Sequence, residues 1–163
     1  MVRRSILASL CIIAAAALVS AQGEAPVNLL KKWNLYGSSN ATVMQPDGVI
    51  VCECAAEKDS SGVNQRVVLD QAEVRTIIFS GESKAQDATG DSGNNYCLYI
   101  DVTHTDGTRT YGVVAPFKTG THDWETASAK YTPEKPVKHL DCYLLFRKKT
   151  GKVWFRNASL VQQ

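Results

Sequence analysis

Hydrophobic and polar residues alternate in short stretches along most of this chain, and a two-residue period predicts strands with one buried face. In "YCLYIDVTH", Leu98, Ile100 and Val102 share one side, which leaves Cys97, Tyr99, Asp101 and Thr103 on the other. The same alternation in "QRVVLDQ" sends Val67 and Leu69 inward and Arg66 and Asp70 outward. In "LDCYLLFR", Leu140, Cys142, Leu144 and Phe146 point inward, and Asp141, Tyr143 and Arg147 point outward. Ile50, Cys52 and Cys54 share an inward phase.

Strands are expected near residues 49–55, 65–71, 76–83, 96–104, 108–117, 123–131, 138–148 and 152–161. Turn residues punctuate them, most clearly Pro46-Asp47-Gly48, Thr105-Asp106-Gly107-Thr108 and Lys149-Thr150-Gly151. A polar, glycine-rich stretch from 86 to 95 is the longest interruption. Eight strands of this kind predict an all-β fold, a two-sheet antiparallel jelly-roll sandwich in which each sheet buries one face in a common core. The last strand breaks its own period: Val153 and Phe155 share one phase, Ala158 and Leu160 the other. One extra residue near Arg156 and Asn157, a β-bulge, reconciles the two halves.

The N-terminus has a different pattern. Arg3 and Arg4 precede an apolar run from Ile6 to Val19 and then Ser20-Ala21, which predicts a signal peptide cleaved after Ala21 and a secreted, extracellular product. Residues 22–163 then form one domain of 142 residues. The formal charge of +2, from 18 Lys+Arg against 16 Asp+Glu, disappears with the two arginines of that segment. A balanced surface gives no footprint for nucleic acid or for an anionic membrane, and the apolar run is too short to anchor the chain in one.

Export permits disulfides among Cys52, Cys54, Cys97 and Cys142, with the pairing left open. One Cys-x-Cys pair and three dispersed histidines do not make a zinc site. "SGESKA" lacks the helix that a serine-hydrolase elbow needs after its nucleophile, so Ser83 is not expected to react. Glu53, Asp70, Asp101 and Glu125 supply carboxylates without singling out a catalytic pair, and no enzymatic activity is expected. Trp33, Trp124 and Trp154 read as core or rim packing. Two sequons, at Asn40 and Asn157, are candidate acceptors for N-linked sugar.

Taken in order, "VNLL", "QRVVLDQ", "IIFSGESKA", "YCLYIDVTHTDGT", "YGVVAPFKTGTHDW", "PEKPVKHL" and "LLFRKKTGKVWF" resemble the galactose-binding-like jelly-roll modules attached to secreted glycoside hydrolases and polysaccharide lyases. The resemblance covers nearly all of the chain after residue 21. It implies a carbohydrate-binding β-sandwich, usually with a structural calcium whose acid follows the aromatic matched by Phe155. Here Arg156 stands in that place, supplies no oxygen and repels a cation, so no cofactor is expected.

A sugar offers both apolar ring faces and hydroxyls, so its site needs aromatic rings beside fixed polar groups. Arg66, Asp70, Tyr99, Asp101, Tyr143 and Arg147, with Tyr111 if its ring points outward, have this mixture on strands that neighbour one another in a jelly roll. The expected function is that of a non-catalytic, lectin-like module binding an extracellular glycan. The alternative is a structural extracellular-matrix protein with the same fold and no glycan ligand.

Overall fold

A computed structural model describes residues 26–37 and 42–163. The predicted signal peptide and the Asn40 sequon lie outside them. The strands are β1 (Asn34–Gly37), β2 (Thr42–Met44), β3 (Ile50–Cys54), β4 (Ser60–Val68), β5 (Ile77–Ala88), β6 (Tyr96–His104), β7 (Arg109–Pro116), β8 (Gly120–Tyr131), β9 (Val137–Arg147) and β10 (Gly151–Gln162). All pairings are antiparallel, in two five-stranded sheets ordered β1-β4-β9-β6-β7 (sheet A) and β2-β3-β10-β5-β8 (sheet B). This is the expected jelly-roll sandwich.

The inward residues read from the alternation make the core. Ile50, Cys52, Val67, Leu98, Ile100, Val102, Leu140, Cys142, Leu144, Phe146, Val153 and Phe155 are all buried, whereas Leu69, just past the end of β4, is only half-buried. At the centre Tyr96 meets Phe117, Phe146 and Phe155 with ring centroids 5.3, 5.6 and 5.9 Å apart. Tyr96 buries its hydroxyl against Ser83 Oγ at 2.6 Å, and Ser83 also donates to the Trp154 carbonyl at 2.7 Å. Ser83 is therefore a satisfied core hydroxyl.

Four differences from the sequence reading have physical causes. Two short strands, β1 and β2, were not expected, because three or four residues carry too little period to detect. Strand β5 runs to Ala88, five residues past its expected end, since Ser83 and Ala85 face the core without being strongly hydrophobic. Its extension shortens the polar loop. The tryptophans Trp124 and Trp154, expected at the core or its rim, are half-buried on the solvent side of sheet B.

The cysteines are the fourth difference. Cys52, Cys54, Cys97 and Cys142 are buried free thiols, and the expected disulfide among them is absent. Cys97 shares the outer side of sheet A with Tyr99, while Cys142 points inward. Cys52 and Cys54 belong to sheet B, and facing sheets stand about 10 Å apart. Cys54 donates instead to the Phe146 carbonyl at 3.5 Å.

The bulge in β10 lies where the phase change placed it. Pairing with β5 runs through Arg156↔Glu82 and resumes at Ser159↔Ser80, so Asn157 and Ala158 together oppose Gly81. Asn157 takes the extra turn in a left-handed conformation, φ 52°. A Cβ on Gly81 would lie 3.3 Å from the Leu98 side chain and 3.5 Å from Ala158 Cα, so glycine suits the strand facing the bulge.

Candidate functional site

The outer side of sheet A carries most of the expected site, because β9 lies between β4 and β6. Antiparallel register brings Tyr99 opposite Tyr143, and Tyr143 opposite Asn64. Tyr36, at the end of β1, extends this row: Tyr36 and Tyr99 both meet Tyr143 edge-on, with centroids 5.5 and 5.8 Å away and interplanar angles of 78°. Arg147 closes one side. Its guanidinium stands 5.8 Å from the Tyr99 ring centre, and it donates to Asn95 Oδ1 at 3.2 Å and to the Tyr36 hydroxyl at 3.4 Å. Asp101 closes the other, accepting the Gly112 backbone N–H at 3.2 Å.

Together Tyr36, Tyr99, Asp101, Tyr143, Leu145 and Arg147 line a cleft of about 240 Å³. Burial raises the pKa of both phenols, Tyr99 and Tyr143, and the carboxylate of Asp101 raises both further. They stay neutral hydroxyls, able to donate as well as accept. Three rings, a carboxylate and a guanidinium form an amphipathic cleft suited to a polyhydroxylated ligand.

Of the expected site residues, Tyr99, Asp101, Tyr143 and Arg147 meet in the cleft. Arg66 shares the sheet face but is engaged with Asp141, in a two-pronged pair at 2.7 and 3.0 Å. Beside that pair, His139 buries Nε2 without a hydrogen-bond partner, 3.9 Å from Asp141. Burial, reinforced by the charge of Arg66, lowers the pKa of its imidazole. Tyr111 does point outward, 63% exposed, but from edge strand β7 and outside the cleft. Asp70 sits in the turn after β4 with φ 42° and does not reach the cleft. Tyr36 was missed because it lies on a strand too short to recognise.

The calcium implied for the last strand does not fit the residues present. Arg156 donates through Nε to Glu82 at 2.7 Å, and Asn157 Nδ2 donates to the other carboxylate oxygen at 3.0 Å. The nearby acid is thus already neutralised by a side-chain cation. Among the described residues, no three acidic, histidine or cysteine side chains group so as to hold a metal ion. Asn157 itself is exposed.

No protein family model matches the chain. A tRNA(Glu)-specific nuclease WapA of Bacillus subtilis subsp. natto is 29% identical over 152 residues, covering 86% of this chain and 6% of that protein. A tRNA3(Ser)-specific nuclease WapA of Bacillus spizizenii is 33% identical over 113 residues, 66% of this chain and 5% of the relative. The chain therefore spans about one-twentieth of the curated relatives it matches. These names overturn one expectation: the sequence reading excluded enzymatic activity, and that exclusion does not stand beside relatives that are named nucleases.

Among solved structures, the CBM4 carbohydrate-binding module is similar at TM-score 0.57 and 14% identity, over 80% of this chain and 86% of that one. The enzymatically active domain of bacteriophage CBA120 tailspike protein 4 has TM-score 0.58 and 10% identity, over 80% of this chain and 19% of that one. The arabinose-bound α-L-arabinofuranosidase MgGH51 has TM-score 0.52 and 13% identity, over 80% and 23%. The fold is the jelly roll of carbohydrate-binding modules.

Proposed function

We propose that this chain is a glycan-binding module that seats its ligand in the cleft on sheet A. The observation that carries this reading is the row Tyr36–Tyr143–Tyr99, edge-on at 5.5 and 5.8 Å, flanked by Asp101 and Arg147. The rings offer apolar area to pyranose faces, and the neutral phenols and the two charged side chains select hydroxyls. The module fold supports the same reading. So do the relatives, because a segment common to proteins named for different tRNAs suits a binding task that they share.

Affinity electrophoresis against a panel of neutral polysaccharides tests this function. Retardation by at least one glycan is expected, with affinity falling about two- to tenfold in Tyr99→Ala and Tyr143→Ala, since stacked rings carry about 0.5–1.5 kcal/mol each beyond their buried area. Absence of binding across the panel, or binding indifferent to both substitutions, overturns it. Export of the chain and sugar attachment at Asn40 or Asn157 belong to the same reading and are checked by N-terminal sequencing and glycosidase treatment of the secreted product.

A further inference from the structure

The solvent side of sheet B carries a second constellation, unrelated to the tyrosine cleft. Registers across β5 and β10 set Lys84 opposite Trp154, and the β8 irregularity near Ser83 and Ala85 places Trp124 against Lys84 from the other side. The Lys84 ammonium lies 5.2 Å from the Trp124 ring centre and 4.8 Å from that of Trp154. Lys152 stands 5.7 Å from Trp154, and the Arg156 guanidinium 3.9 Å from Trp124. Cations and indoles therefore alternate: Lys152, Trp154, Lys84, Trp124, Arg156.

The charges of this row are not equivalent. Lys152 pairs with Glu53 at 3.1 Å and Arg156 with Glu82 at 2.7 Å. Among the described residues Lys84 has no carboxylate partner, and only the two ring faces hold it. Cation–π contact orients an ammonium without cancelling its charge. One uncompensated positive charge is thus fixed midway between two large apolar plates. The two distances to Lys84 put the ring centres no more than about 10 Å apart, two strand spacings and roughly the span of two sugar rings.

We propose that this row is a second binding site, which takes a linear polysaccharide carrying anionic groups, one of them set on Lys84 while the flanking sugars pack along the exposed edges of Trp124 and Trp154, whose faces the cations occupy. Charge complementarity chooses the occupant. A neutral glycan leaves Lys84 unanswered, whereas a nucleic acid needs a run of free cations, and this row has one.

The experiment titrates the purified protein with polygalacturonate, dextran sulfate, neutral xylan and poly(U), reading tryptophan fluorescence and affinity electrophoresis. Binding of polygalacturonate or dextran sulfate is expected to perturb the fluorescence and to weaken as salt rises. It should fall at least tenfold in Lys84→Met and in Trp154→Ala, return in Lys84→Arg, and persist in Tyr99→Ala and Tyr143→Ala. Circular dichroism confirms that each variant is folded. The proposal is overturned if neither acidic polymer binds more tightly than xylan, if Lys84→Met binds unchanged, or if poly(U) is preferred to both. Loss of neutral-glycan binding in the tyrosine variants concerns the other face only, so the two proposals fail separately.

Discussion

Asp101 and Asp141 stand directly opposite each other across β6 and β9, two carboxylates in one cross-strand pair. Arg66 clamps Asp141 alone. Asp101 accepts the Gly112 N–H, lies beside the Tyr99 hydroxyl and faces the cleft without a paired cation among the described residues, so like-charge repulsion is retained beside the proposed binding surface.

Replacing Asp101 by Asn removes that repulsion and keeps an acceptor for Gly112. Stability is expected to rise by about 0.2–1 kcal/mol, while glycan affinity falls. Urea unfolding and affinity electrophoresis on the same preparation check this trade, and a variant that loses both sinks it.

Lys149 is a buried ammonium, 4% exposed, that donates to the Thr89 and Asp91 carbonyls at 3.1 and 2.6 Å. It gives the polar loop after β5 an internal cation. Lys149→Met should cost about 1–3 kcal/mol by orphaning those carbonyls, seen as a lower unfolding midpoint. An unchanged midpoint would show that water satisfies them.

Burial pushes the thiol pKa up to about 12 at Cys52, Cys97 and Cys142 and to about 11 at Cys54. At pH 8 these sulfurs are protonated as well as enclosed, so the native protein should resist iodoacetamide at all four positions and react in guanidinium. Peptide mapping reads the sites, and rapid labelling of the native protein contradicts the burial.

Glu82 has its pKa held below the ordinary carboxylate value of 4.5, first by the hydrogen bond from Asn157 and then by Arg156. The sign follows: its contribution to stability is complete above pH 4.5 and is lost as pH falls through the lowered folded value. Glu82→Gln should therefore lower the melting temperature at pH 7 and flatten its decline between pH 5 and 3. Parallel slopes in the two proteins would assign the acid loss to other carboxylates.

Much of the fold was legible because the strands of sheet A keep a strict two-residue period; Leu98, Ile100, Leu140 and Leu144 declare their side of the sheet without help. Cleft residues Tyr99 and Tyr143 followed from the same period, since both alternate with core positions. Period assigns a face but not a neighbour. Which residues share a cleft depends on β9 lying between β4 and β6, a pairing between distant segments that no local pattern encodes. For that reason Tyr111 and Asp70 passed the facing test yet lie outside the cleft, and Tyr36 was missed. Trp124 and Trp154 were misplaced for another cause. Large rings are usually buried, and here cations flanking them on the sheet surface cover part of each ring.

Asn157 is supernumerary in sheet B. Without it Ala158 would turn inward, Ser159 outward and Leu160 inward again, in step with Phe155, and the ladder from Arg156 to Ser159 would close without a gap. The strand therefore carries one residue beyond what its core pattern spends, and that residue is the acceptor asparagine of a sequon. A deletion at this position should be tolerated where a deletion at Phe155 would evert half the strand. The surplus residue is the place in β10 where the chain can change its length or its covalent decoration while the hydrophobic interior keeps its lining.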